Sequence, residues 1–155
     1  MTERTVEKGN YVLIDYTGKL DNGTVFDTTL KEKAIKAGIY DKEKDYRPLF
    51  FRAEAGQVIK GIDKGVLGMK EGEEKTLKIQ PEEAYGEYKK YLVQDIPIER
   101  LELQVPLEVG KKIITPGGSE VKVLNSTETS ATLDFNHELA GKTLTLEIKI
   151  VSIIN

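Results

Sequence analysis

Three side chains carry the groups most able to handle a polar substrate: the phenols of Tyr16 and Tyr85 and the carboxylate of Asp27. A phenol donates or accepts hydrogen bonds, and an ionised carboxylate only accepts them. The chain has no cysteine, which removes disulfides, thiol catalysis and cysteine-based zinc sites. His137 is its single histidine, so a histidine-built metal centre is excluded and neither metal nor cofactor is expected. Lysine and glutamate interleave along the chain and the net charge is −3, leaving no basic patch for nucleic acid. Taken singly, the two tyrosines read as half-buried packing residues and Asp27 as a turn or cap acid. Hydrolysis by Asp27 with a nearby glutamate has only the abundance of carboxylates behind it.

The element that must position these groups is 57–69. Val58, Ile59, Ile62 and Val66 follow helical spacing and place one apolar stripe on a short helix. Gly61 and Gly65 lie one turn apart. A helical glycine costs about 1 kcal/mol against alanine, so the pair implies a backbone pressed against a flat surface such as a sheet. Gly68 reads as the stop. Upstream, 11–16 alternates as a strand, Asn22-Gly23 signals a hairpin, and Val25, Phe26 and Asp27 return. Thr28-Thr29 is expected to cap a short helix over 30–37 that ends at Gly38. Residues 40–46 form a charged excursion, and 48–51 resume extended chain. Downstream, 75–79 alternates, Pro81 opens a helical turn closed by Tyr85-Gly86, and Leu144, Leu146, Ile148 and Ile150 mark one face of a last strand.

Residues 87–136 have a different grammar. Short strands at 112–115, 120–124 and 131–135, separated by the Pro116–Ser119 turn and a second polar turn, spell a small antiparallel meander. Ile98 to Leu101 adds a helical turn. The flanking segments belong to one host domain, 1–86 with 137–155, so 87–136 reads as an inserted domain. With 39% apolar residues the chain can form a core, and no apolar run approaches the ~18 residues of a membrane span. The charged N-terminus lacks a secretory segment. A cytoplasmic monomer is expected, and the 32% charged content is compatible with a thermophilic source.

The ordered set Asp15–Gly18, Asn22–Asp27, Arg47-Pro48, Val58–Gly61, Gly65-Val66, Gly68-Met69, Gly72-Glu73 and Pro81–Gly86 resembles the FKBP family of peptidyl-prolyl cis–trans isomerases. Tyr91–Gln94 with Pro97, and Asn136–Gly141, look like the SlyD-type subfamily, whose inserted domain in the flap is a chaperone; the 34–46 bulge resembles archaeal members. The resemblance implies an α+β, mainly β fold: an antiparallel half-barrel wrapped on the 58–66 helix, with an inserted small β domain. It implies a proline pocket of Tyr16, Phe26, Asp27, Leu49, Phe51, Val58, Ile59, Ile62, Tyr85 and Leu146, with Leu139 at its margin on the strand returning from the insert. Tyr16, Asp27 and Tyr85 would be the polar, catalytic members. Tyr85 and the backbone N–H of Ile59 would meet substrate carbonyls.

The implied partners are unfolded, proline-containing polypeptides and, more weakly, tacrolimus-type macrolides. Weak macrolide binding is expected because Ile62 stands where the family usually has tryptophan, and Leu49 and Leu146 stand where aromatics are common. The chain ends at Asn155 without the histidine-rich tail of SlyD relatives. Tyr88, Tyr91, Leu92, Val93, Ile96, Ile98, Leu101 and Leu103 are candidates for a client-binding surface, about half of them expected to form the insert's own core. An alternative is a holdase that binds unfolded chains beside a vestigial pocket, motivated by Ile62 and the missing aromatics.

Overall fold

The structure is a computed structural model that describes residues 4–103 and 106–154. The chain divides into two compact units, Met1–Gly86 with Gly141–Asn155, and Glu87–Ala140. The second therefore extends to Ala140, four residues past the boundary read at 136. Residues 138–141 form a turn, in which Leu139 N–H reaches His137 Nδ1 at 3.0 Å and Ala140 N–H reaches His137 O at 2.9 Å. Leu139 thus lies in that turn and not on a strand.

The first unit is a five-stranded antiparallel sheet. Strand β1 (Tyr11–Leu20) pairs along its whole length with β9 (Leu144–Ile154). On its other edge it takes β2 (Val25–Thr28) and β3 (Leu49–Arg52), and β4 (Glu74–Ile79) pairs with β9. The period-two pattern decides which face is dry: Leu144, Leu146, Ile148 and Ile150 are buried, while the residues between them are not. Val12, Ile14, Phe51, Ile62, Val66 and Met69 complete the core against them. The hairpin turn lies at Asp21–Gly23 as expected, with Gly23 N–H bonded to Leu20 O at 2.9 Å.

Helix α1 (Lys31–Ala37) ends at Gly38 in the left-handed region, φ 76°. Its start differs from the expectation. Leu30 is the cap residue and makes no side-chain cap bond. The two threonines face the sheet instead: Thr29 Oγ1 accepts Tyr16 N–H at 3.0 Å and donates to Asp15 at 2.9 Å, and the Thr28 and Thr17 hydroxyls meet at 2.9 Å. Bonds to β1 engage both hydroxyls, and the one local bond, from Leu30 N–H to Thr28 Oγ1 at 3.2 Å, stops short of the first helical turn.

Helix α2 (Lys60–Gly65) is shorter than the apolar stripe suggested. Ile59 is its extended cap residue, ψ 149°, and its carbonyl takes the N–H groups of Ile62 and Asp63. Val58 and Ile59 therefore precede the helix. Gly68 lies beyond Gly65, after an intervening turn, and donates its N–H to Val6 O at 2.9 Å. The two helical glycines do what their spacing implied. A Cβ on Gly61 would lie 2.5 to 2.7 Å from three carbons of Ile79, and one on Gly65 would lie 2.3 Å from Leu77 Cδ1. Both neighbours are on β4, so the helix backbone rests directly on the sheet.

The second unit is a four-stranded antiparallel sheet ordered β5 (Val93–Pro97), β8 (Ser130–Asp134), β7 (Glu120–Ser126) and β6 (Lys112–Ile114). The meander of β6 to β8 follows the sequence reading. Strand β5 does not: Val93 to Pro97 has weak alternation, and only pairing with β8 makes it a strand. Leu101, Val121, Val123, Ala131 and Leu133 form this unit's own core. Among the described residues no helix is long and apolar enough to cross a membrane.

The two glycines should respond differently to alanine. Gly61→Ala drives a methyl into buried, β-branched Ile79, and overpacking of about 1–3 kcal/mol should exceed the ~1 kcal/mol gained in helix propensity. Gly65→Ala meets the end of a half-buried leucine that can turn away, so its two terms should nearly cancel. Urea denaturation of both variants checks the order: Gly61→Ala less stable than wild type, Gly65→Ala close to it.

Candidate active site

Within the first unit, the dry face of the sheet and the segment leading into α2 enclose a hollow of about 450 Å³. Its lining is Tyr16, Phe26, Asp27, Leu49, Gly56, Gln57, Val58, Ile59, Ile62, Tyr85, Leu144 and Leu146. The size suits a small cyclic side chain with its flanking backbone. Register explains the gathering. Gly18 of β1 lies opposite both Asp27 of β2 and Leu146 of β9, so one row across the sheet carries two wall residues, one on either side of that glycine. Gly18 must be glycine there: a Cβ would fall 2.5 Å from Phe26 Cζ and 2.9 Å from Leu146 Cδ2. Its missing side chain is the space Phe26 and Leu146 occupy.

The lining holds a single carboxylate, and its oxygens are committed. Asp27 Oδ2 accepts the Tyr16 hydroxyl at 2.5 Å; Oδ1 accepts Thr28 N–H at 2.9 Å and the Lys44 ammonium at 2.6 Å. A carboxylate so engaged, with no second acid in the lining, lacks the partner a hydrolytic pair needs. Burial raises the Tyr16 phenol pKa far above the ordinary tyrosine value, helped by the hydrogen bond to Asp27, by Asp27's charge and by Tyr85. Tyr85 is raised too, first by burial and then by Asp27's charge. Both phenols stay protonated through the neutral range and remain donors. The turn at Pro81–Glu83 presents Tyr85: Ala84 and Gly86 N–H groups both return to Pro81 O, at 3.0 and 2.7 Å.

Nine of the eleven expected pocket residues, Leu139 included among the eleven, line this hollow together. Phe51 does not. It shares a strand face with Leu49 but lies opposite Val12, 2% exposed, and packs into the core; its neighbour Phe50, on the other face, is 56% exposed. Leu139 is also outside the lining and belongs to the other unit. Three lining residues escaped the sequence reading: Gly56, Gln57 and Leu144. Leu144 was accessible from the period-two pattern it shares with Leu146. Asp63, buried at 7%, was missed as well; it accepts Glu54 N–H at 3.0 Å and Gly56 N–H at 3.1 Å. Those two residues have positive φ, 59° and 74°, so Asp63 holds the turn that carries Gly56 and Gln57 to the hollow.

Of the candidate client-binding residues in the second unit, Leu101 is core, and Ile96, Ile98 and Leu103 pack against that core. They follow the buried side of a five-residue strand and the turn after it. Tyr88 and Tyr91 remain 48% and 68% exposed, and Leu92 and Val93 are half-buried. Val109, Ile114 and Leu124, not anticipated, are also exposed.

The raised phenols have a measurable consequence. A tyrosine that ionises later in the fold than in the unfolded chain keeps an extra proton when folded, so stability falls as pH rises above the ordinary value of 10.0. Alkaline absorbance titration should show a late-ionising component that Tyr16→Phe removes. Loss of stability above pH ~10 should be smaller in that variant.

Comparison with known proteins agrees with this geometry. The profile of the FKBP-type peptidyl-prolyl cis-trans isomerases matches residues 2–151. The chain is 40% identical over 146 residues to a short-type peptidyl-prolyl cis-trans isomerase of Methanocaldococcus jannaschii, covering 94% of this chain and 92% of that protein. It is 33% identical over 117 residues to the FKBP-type isomerase SlyD of Helicobacter pylori, covering 73% of this chain and 63% of that one. A probable FKBP-type 16 kDa isomerase of Pseudomonas fluorescens is 27% identical over 157 residues, covering 99% of this chain and 95% of that protein. A sheet, helix and hollow of this kind, matched along nearly the whole sequence, place the chain in the family of FKBP-type peptidyl-prolyl cis–trans isomerases.

Proposed function

We propose that this isomerase turns X–Pro bonds in the hollow of the first unit and that its second unit holds unfolded clients, making the whole a folding helper. The observation that supports the first half is the convergence of Phe26, Val58, Ile59, Ile62 and Leu146 around Tyr85 and the Tyr16–Asp27 pair. Rotation about an X–Pro bond must break amide resonance, a barrier of ~18–20 kcal/mol, and takes tens to hundreds of seconds unaided. No covalent bond is made or broken. The planar amide carries more charge separation than the twisted one, so removing water raises the planar form relative to the perpendicular form. The apolar wall supplies that removal.

The polar rim then orients the chain. Tyr85, protonated and 38% exposed, donates to a substrate carbonyl. Ile59 offers its N–H from the cap position of α2 to a second carbonyl. Asp27, held by Tyr16, sets the potential beside the rotating carbonyl. A thousandfold acceleration needs only ~4 kcal/mol, which a dry wall and two or three hydrogen bonds can supply. Tacrolimus-type macrolides would find the same wall, but with leucine and isoleucine at 49, 62 and 146 they gain less stacking area and bind weakly.

The client-holding half rests on the exposed apolar groups of the second unit, Tyr91, Val109 and Ile114 foremost. A weakly held client would leave a shallow pocket before its bond turns. A second attachment on the same chain makes rebinding intramolecular, at an effective concentration in the millimolar range.

Magnetisation-exchange NMR on a short Ala-Leu-Pro-Phe peptide tests the isomerase site. The intact protein should accelerate exchange, and Tyr85→Phe and Asp27→Ala should each lower the rate about tenfold, the equivalent of ~1.4 kcal/mol. No acceleration by wild type would leave only a holdase. Combined Tyr91→Ser, Val109→Ser and Ile114→Ser should leave the tetrapeptide rate within about twofold. The same variant should slow proline-limited refolding of a whole protein about tenfold or more. Equal losses in both assays would defeat the division of labour.

A further inference from the structure

We propose that Lys44, carried by the 40–46 excursion, is a positioning residue for the Asp27 carboxylate. The proposal rests on the reading that Asp27 belongs to the isomerase site. The sequence marks the excursion only as charged and polar, yet it is built around this lysine. Tyr40 and Tyr46 stack at 5.6 Å and 17°, and Asp41 N–H donates to the Tyr46 hydroxyl at 3.0 Å. Lys44 N–H returns to Asp41 O at 3.1 Å, and Glu43 N–H to Asp41 Oδ1 at 2.9 Å. The Lys31 ammonium lies 5.7 Å from the Tyr40 ring centroid, which ties the stack to α1.

The product of this folding is a placed ammonium. Lys44 Nζ lies 2.6 Å from Asp27 Oδ1, 3.3 Å from Thr28 O and 5.3 Å from the Tyr46 ring centroid. An Asp side chain 38% exposed can rotate its carboxylate plane at little cost. Lys44 and Thr28 N–H together hold Oδ1, and that directs Oδ2 to the Tyr16 hydroxyl. The Lys44 and Asp27 side chains are 40% and 38% exposed, so the pair is accessible to salt.

The test uses the full chain, tetrapeptide exchange and low against high salt. Lys44→Met should lower kcat/KM about two- to fivefold at low salt, the span expected of a half-exposed ion pair. Lys44→Arg should restore most of it. High salt should bring wild type towards Lys44→Met and leave that variant unmoved, because screening acts on the pair it has lost. In an Asp27→Asn background, Lys44→Met should add nothing. Tyr46→Leu, which removes the stack but keeps the lysine, should reproduce part of the loss if Lys44→Met melts early. The proposal is overturned, alone, if Asp27→Asn slows exchange while Lys44→Met does not, or if Lys44→Met costs as much in the Asp27→Asn background. If Asp27→Asn changes nothing, the role of Asp27 and this proposal are both lost.

Discussion

A helix with no side chains on one flank lies directly on the sheet beneath it. Gly61 and Gly65 let the backbone of α2 lie on Ile79 and Leu77 with no Cβ between them. Glycine costs a helix about 1 kcal/mol per position, and a six-residue helix has no cooperative reserve to offset that. Packing must therefore hold it, and Ile62 and Val66, both buried, provide the contact. Because the helix lies so low, the extended residues before it, Val58 and Ile59, reach the hollow instead of pointing to solvent.

The same logic of omitted side chains recurs at Gly18. Phe26 and Leu146 fill the place its Cβ would take, and they become wall residues because that place is vacant. A dry wall has little to say about orientation, which falls to the polar residues. Tyr16, Asp27, Thr28 and Lys44 form a connected set, in which both oxygens of Asp27 have a partner. In a partly desolvated site an unsatisfied carboxylate would be costly. Satisfied, it fixes the Tyr16 ring and leaves Tyr85 as the more accessible phenol.

The second unit obeys a different balance. Its sheet buries Leu101, Val121, Val123, Ala131 and Leu133, a small core for some fifty residues. Tyr88, Tyr91, Val109 and Ile114 remain outside it. A unit of this size has more apolar side chains than its interior can take, and the surplus lies on its surface.

Sequence alone determined the elements whose signals are local. Period-two alternation over 144–150, the Asn22-Gly23 turn, the glycine pair of the helix and the proline-led turn before Tyr85 were all legible, and nine of the wall residues were implied by the family resemblance that the ordered motifs carry. Tertiary structure decided what depends on partners distant in the chain. Phe51, opposite Val12, went to the core, whereas Leu49 on the same strand face reached the hollow. Val93–Pro97 became a strand because β8 pairs with it, and the Thr28 and Thr29 hydroxyls bond to β1 and not into the first helical turn. The ion pair between Lys44 and Asp27 joins residues seventeen apart through a loop with no periodicity. Alternation and turn chemistry act over a few residues, whereas pairing, burial and charge contacts are settled only when separate segments compete for the same place.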